Sequence, residues 1–207
     1  MRSTSGVVAA VAGRAKKPSA RTRILESVIS WAAETGLRKL SMDEVARRAH
    51  VGRATLYKHF PRRDALIDAV VKTELENFFA EVQTTVEKYE DPEERLIHGF
   101  AQAYRLLSGH PAVSPILTLN PELFVPYVIA KDSYALNLGR TFVMSFTPSD
   151  ELPPEQRERF AEHVARAFHT LILIPSSVLG LDDPDGPENY ARDFLIPVRN
   201  HLRDSGK

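Results

Sequence analysis

The sequence predicts an all-α protein of about nine helices: a small basic module at the start and a larger helical domain behind it. Three observations carry this. Apolar residues return at i, i+3 and i+4 in one stretch after another, period-2 runs bounded by turns are missing, and prolines and glycines fall between the periodic stretches. The chain has 207 residues, 43% hydrophobic and 26% charged, an ordinary globular mixture long enough to bury a sizeable core. It has no cysteine, which removes disulfides, thiolate metal sites and cysteine nucleophiles. No apolar run reaches the roughly 18–20 residues that a membrane helix needs.

Taken in order, residues 1–19 are small, polar or basic and read as a disordered arm. The short apolar stretch "VVAAVAG" is followed at once by Arg14, Lys16 and Lys17, which disfavours a secretory signal and points to a cytoplasmic protein. From Ala20, Ile24, Leu25, Val28, Ile29, Ala32 and Ala33 form one helical stripe, and Gly36 stands where a helix ends. Ser41 followed by Glu44 predicts a capping box that starts a second, short helix. "RATLYKHF" is a third, which Pro61 cannot continue. A long amphipathic helix follows from Arg62, with Leu66, Val70 or Val71, Leu75, Phe78 and Phe79 inward. The next runs from Pro92 to Leu107 with Leu96, Phe100, Ala103 and Leu107 on one face. Clustered prolines then imply a short helix, a break and a longer helix from about Glu122 to Phe146. Two loops, "TPSDELPPEQ" and "GLDDPDGPEN", separate it from helices near Glu155–Ser176 and Glu188–Arg203.

The formal net charge is zero, yet residues 1–72 hold fifteen Lys or Arg against six Asp or Glu, and the remainder twelve against twenty-one. A basic unit joined to an acidic one suggests a polyanionic partner for the former. Within that unit, three short helices with a tight turn between the second and third match a helix-turn-helix, motif residues 41–60. Val45, Ala46, Ala49, Val51, Leu56 and Phe60 supply a small core. Arg53, Thr55, Tyr57, Lys58 and His59 are left outside. An apolar docking face and a short polar face are what a helix entering a major groove about 12 Å wide requires. Arg53 and Thr55, near the helix start, are placed for base edges; Tyr57 and Lys58 for phosphates; His59 for a phosphate or the helix end. Ser41 and the second helix's first amides can grip a phosphate, and Arg62 and Arg63 extend the cationic surface.

The segment "SMDEVARRAHVGRATLYKHFPRRDALI" resembles the DNA-binding module of the TetR family of transcriptional regulators. The matching residues are Ser41, Val45-Ala46, Ala49, Val51, Thr55-Leu56-Tyr57, His59-Phe60, Arg63-Asp64 and Leu66. The resemblance covers roughly residues 20–70. It departs at His50, where the family has a turn glycine that often takes positive φ, and at Gly52, where it often has a serine cap. Gly52 and Arg63 complete the expected DNA-contacting set.

The resemblance implies a divergent helical domain over residues 71–207 that binds a small effector and forms a homodimer, with double-stranded palindromic DNA as the further partner. The dimer face then falls on the last two helices: Phe160, Val164, Ala167, Phe168, Leu171 and Ile172 on one, Phe194, Leu195, Val198 and Leu202 on the other. An effector pocket falls among the central helices, with candidates Phe78, Phe100, Tyr104, Phe124, Tyr127, Tyr134, Phe142 and His169. The apolar share there suggests a hydrophobic or acyl-like molecule.

No G-x-S-x-G, P-loop, G-x-G-x-x-G or H-E-x-x-H occurs, so the sequence offers no catalytic residue, metal site or cofactor. Glu94 and His98 share one helix face, as a solvated pair does. The expected function is a sequence-specific repressor released by an effector; the alternative is a ligand-independent architectural DNA binder.

Overall fold

The computed structural model describes residues 18–123, 125–128 and 133–205, all helix, turn or loop. The expected arm and the candidate Phe124 therefore lie outside the described residues, the arm's last two positions apart.

The first helix, α1 (Ala20–Thr35), starts where the Ser19 hydroxyl accepts the Thr22 amide at 3.0 Å. It ends at Gly36, whose φ of +68° would strain a side chain and whose own amide closes on Ala32 O. Its stripe of Ile24, Leu25, Val28 and Ala32 is buried against α2 (Met42–Arg48), α3 (Arg53–His59) and the first part of α4 (Arg63–Val86). This core also takes in Ala112 and Ile116, at the start of and within α6 (Val113–Leu119). The basic module is thus sealed by a helix far beyond it in the chain, α6, and α4 runs unbroken across position 70.

The second core lies between α5 (Pro92–Ser108), α8 (Tyr134–Phe146), α9 (Pro154–Leu173) and the C-terminal helices. Asp91 caps α5 by accepting the Glu94 amide at 3.1 Å, with Pro92 at the first helical position where no amide is needed. Gly99 on α5 faces α4 so closely that a Cβ would stand 2.8 Å from Val86 Cγ2.

Two expectations change here. The single helix expected from Glu122 to Phe146 is broken into a 3-10 turn (Pro121–Leu123), a four-residue α7 (Val125–Val128) and α8. Ser133 is the cause at the last break: its hydroxyl accepts the Leu136 amide at 3.1 Å and starts a new helix. The last helix is one continuous run, α10 (Gly186–Tyr190), a π turn (Ala191–Leu195) and α11 (Ile196–Ser205). Pro197 lacks an amide and would crowd the carbonyl four residues back, and the wider π turn immediately before it relieves both problems.

Candidate nucleic-acid interface and effector cavity

The turn between α2 and α3 is built around backbone geometry. His50 has φ +51°, the one positive-φ residue other than glycine among the described residues. This is the conformation expected from its place where a glycine is usual. The turn is tied down by Val51 N–H donating to Ala46 O at 3.0 Å and by Arg23 Nε, on α1, donating to Ala49 O at 3.1 Å. Leu56 is fully buried and Phe60 nearly so, so α3 is anchored through its centre and C-cap.

The opposite face of α3 is open. Arg53, Tyr57, Lys58 and His59 are exposed, Tyr57 at 46%, while Thr55 is half-buried. Gly52 is the N-cap, extended at φ −69° and ψ 150°, and supplies no side-chain acceptor. Ser41 is exposed and is the N-cap of α2, but its hydroxyl caps no amide. The expected capping box is therefore not formed. Glu44 instead accepts from Arg47 Nε at 2.7 Å and from Arg48 Nε at 3.1 Å. Those two guanidiniums, Arg47 foremost, hold its carboxyl down to about 2. Charge-assisted bonds to two arginines outcompete a reach back to one backbone amide. Arg48 also donates to Glu34 at 2.8 Å and lies 4.7 Å from the Trp31 ring centroid, locking α2 onto α1.

Two of the expected DNA-contacting arginines are already engaged. Arg53 forms an ion pair with Asp43 on α2, both ends partly exposed. Arg63 Nη2 donates to Leu37 O at 2.6 Å, which turns it back toward the α1–α2 loop.

Behind the module lie two adjoining cavities. The first, about 140 Å³, is walled by α4, α5, α6, α8 and α9. Of the expected ligand residues, Phe78, Phe100, Phe142 and His169 line it. The aromatic wall also includes Phe79, Phe146 and Phe168, with Phe79 and Phe142 centroids 5.1 Å apart and Phe100 and Phe168 edge-on at 5.9 Å. Phe142 and Phe146 are i, i+4 partners, a spacing that marks a shared face. Phe168 lay in a stripe read as dimer surface. The second cavity, about 210 Å³, is walled by α1, α4 and α6 and includes Tyr127, Glu74, Glu81 and His110. Leu75, Phe78, Leu107, Val113 and Ala135 belong to both. Tyr104 is buried but lines neither cavity, and Tyr134 lies beside Lys72, whose ammonium is 5.9 Å from its ring centroid.

Polar groups at these cavities are few. His169 Nδ1 lies 2.7 Å from Ala165 O, and burial pushes its imidazole pKa below the usual histidine range. His110 accepts the Ala112 amide at Nδ1 (3.2 Å) and meets Glu74 at Nε2 (3.3 Å). A buried clasp lies alongside: Asn120 Oδ1 accepts the amides of Leu37 and Arg38 at 2.8 and 3.0 Å, joining the end of α6 to the α1–α2 loop.

The stripes expected to pair two subunits are largely spent inside the chain. Phe160, Val164, Leu171 and Leu195 are buried against α5 and α8, because α9 packs its apolar face on its own neighbours. What remains outward on this side is Phe194, with Ile174 and Val178 in the loop after α9. His98, on the face shared with Glu94 at 3.1 Å, stacks on Tyr89 at 4.2 Å; no cluster of three metal-ligating side chains occurs among the described residues.

Comparison with known proteins agrees with the geometry. The family model described as "Bacterial regulatory proteins, tetR family" matches residues 24–70. An uncharacterized HTH-type transcriptional regulator of Mycobacterium tuberculosis is 26% identical over 179 residues, 86% of this chain and 85% of that protein. The TetR family repressor AlkX from Dietzia sp., implicated in biodegradation of n-alkanes, superposes with a TM-score of 0.66 at 20% identity, over 91% of this chain and 99% of that one. The transcriptional regulator FadR from Bacillus subtilis, in complex with stearoyl-CoA, superposes with a TM-score of 0.58 at 16% identity, over 85% and 96%. Residues 24–70 thus carry the helix-turn-helix module of the TetR family of transcriptional regulators, and the chain as a whole shares the all-helical fold of solved proteins that bear that module.

Proposed function

We propose that the protein is a homodimeric repressor that occupies a palindromic operator and is released by a small hydrophobic effector. The observation that carries the DNA-binding part is the division of α3: Leu56 and Phe60 dock it, while Arg53, Tyr57, Lys58 and His59 face outward. Residues 20–70 serve as the DNA-binding module and residues 71–207 as the effector and dimer domain. Within the module, Arg53 and Thr55 read base edges, Tyr57, Lys58 and His59 meet phosphates, and Ser41 and Gly52 approach the backbone at helix starts. Arg63 acts chiefly by holding the α1–α2 loop.

The apolar cavity supports the effector, with Phe78, Phe100, Phe142 and His169 as its walls and Tyr127 at the adjoining space. Solved relatives include a repressor implicated in n-alkane degradation and a regulator holding stearoyl-CoA, which fits an apolar ligand. Because the second cavity is shared between α1 of the module and α4 and α6 behind it, a ligand that fits one arrangement of these helices better than another shifts the population between them. Exposed Phe194, Ile174 and Val178 supply the remaining apolar surface for pairing through α9 and α11. Gel-shift titration of genomic fragments against competitor DNA tests this function. A fragment retained at competitor excess supports it, and equal affinity for all fragments contradicts it.

A further inference from the structure

The polar side-chain atoms along the described wall of the first cavity belong to one residue, and that restricts what this cavity can hold. Among the described residues, twenty-two line the first cavity, and His169 is the one of these whose side chain carries nitrogen or oxygen. Its Nδ1 lies 2.7 Å from the carbonyl oxygen of Ala165. A carbonyl can only accept, so Nδ1 carries the proton. Burial disfavours the imidazolium and keeps the ring neutral at pH 7. In a neutral ring protonated at Nδ1, Nε2 is a bare acceptor. The first cavity therefore offers a ligand one side-chain acceptor and no side-chain donor.

The second cavity is also poor in free donors. His110 is spent: its Nδ1 accepts the Ala112 amide, which leaves the Nε2 proton for Glu74. Tyr127 is partly desolvated and lies beside the Asp68 carboxylate, which together raise its phenol pKa. Glu74 and Glu81 add carboxylates, Asn77 adds one amide that both donates and accepts, and among the described residues neither wall includes a lysine or arginine. An anion placed against His169 would lose its water and find no cation among the described residues; an acceptor-only ligand such as a ketone would face the His169 lone pair unpaired.

We infer that the cavity selects uncharged, hydroxyl-bearing hydrocarbons, whose O–H donates to His169 Nε2, over carboxylates and ketones on the same skeleton. The inference rests on the reading that this cavity is the effector site. The carbon skeleton lies against Phe78, Phe142 and Phe168 and runs past Leu75 and Leu107 into the second space.

Titration calorimetry at pH 7.5 with nonan-1-ol, nonan-2-one and nonanoate, on the full chain, tests this. The alcohol binds tightest, the ketone about tenfold weaker for one lost hydrogen bond, and the anion at least about a hundredfold weaker. In His169→Phe, which keeps an aromatic ring but removes the acceptor, the alcohol-to-ketone ratio falls to about one while the ketone keeps its affinity to within about twofold. Nonanoate binding as tightly as the alcohol overturns the inference, as does an alcohol preference that survives in His169→Phe. If that variant does not fold, the ranking on the unaltered protein decides alone. Release of operator DNA by all three ligands alike leaves the effector reading standing and removes the hydroxyl selection. Binding by none of the three, with DNA release by none, removes both.

Discussion

Arg53 and His50 carry opposite kinds of constraint. Arg53 sits on the exposed face of α3 but is held by Asp43. A base-reading role requires that pair to open, at the modest cost of breaking an exposed, solvent-screened salt bridge. Asp43→Asn is therefore expected to raise operator affinity by up to about fivefold, measured by fluorescence anisotropy at fixed salt. Unchanged or weaker binding would show that Asp43 positions the arginine instead of competing for it. His50 holds a left-handed backbone. His50→Gly is expected to leave stability equal or slightly higher, and His50→Val to lower it by about 1–2 kcal/mol in urea denaturation. Equal stability in both variants would mean that the turn rearranges. Lys58→Ala is expected to weaken binding to all DNA sequences similarly and to reduce the salt slope by about 0.9; a loss confined to particular bases would make Lys58 a base reader.

The elements divide into those visible from spacing and those decided by contacts between distant residues. The α1 stripe, its stop at Gly36, the anchor residues of α3 and the positive φ at His50 all follow from periodicity or from a residue type in a known kind of turn. The capping box failed because Arg47 and Arg48, on the next turn of the same helix, offered Glu44 stronger partners than the Ser41 amide. The break before α8 was missed because a lone serine cap is a weak signal inside an apolar stretch. The apolar stripe of α9 fits a dimer face and a core equally well by spacing, since both need the same apolar period. Asn120 was invisible for the same reason as any long-range contact: nothing local says that it will meet residues 37 and 38. It is 1% exposed and satisfies two buried amides at once. Asn120→Ala is expected to cost about 2 kcal/mol or more in chemical denaturation, because two donors lose their acceptor. A cost below about 0.5 kcal/mol would mean that water replaces it. Arg199, on α11, is the corresponding polar tie at the far end. It is 5% exposed, paired with Glu151 and 3.7 Å from Glu93, and burial lowers its guanidinium pKa.

At the scale of the whole molecule, the two halves share a wall. The core of the DNA-binding module is closed by Ala112 and Ile116, and the cavity behind it reaches Val28, Ile29 and Ala32 of α1. Whatever fills that space bears on α1, the helix against which α2 and α3 pack, and the Asn120 clasp ties the same two parts. This explains why a module legible from residues 20–70 does not end cleanly at 70: α4 is at once its last helix and the first wall of both cavities. The cavity's chemistry was only half legible. Aromatics at helical spacing marked candidates, but which faced one another depended on how α4, α5, α8 and α9 crossed, so Tyr104 and Tyr134 fell aside while Phe79, Phe146 and Phe168 came in.

The central claim is that α3 reads a specific two-fold DNA site. Its most direct test is a selection of genomic fragments by the purified protein at physiological salt, followed by footprinting of the retained sites. The expected result is a palindrome with half-sites about 34 Å apart, one helical turn, protected at an affinity about 10³-fold or more above bulk DNA, with the preference at particular bases relaxed by Arg53→Ala. Protection without a shared sequence, at affinity uniform across fragments and unchanged in profile by Arg53→Ala, would contradict it.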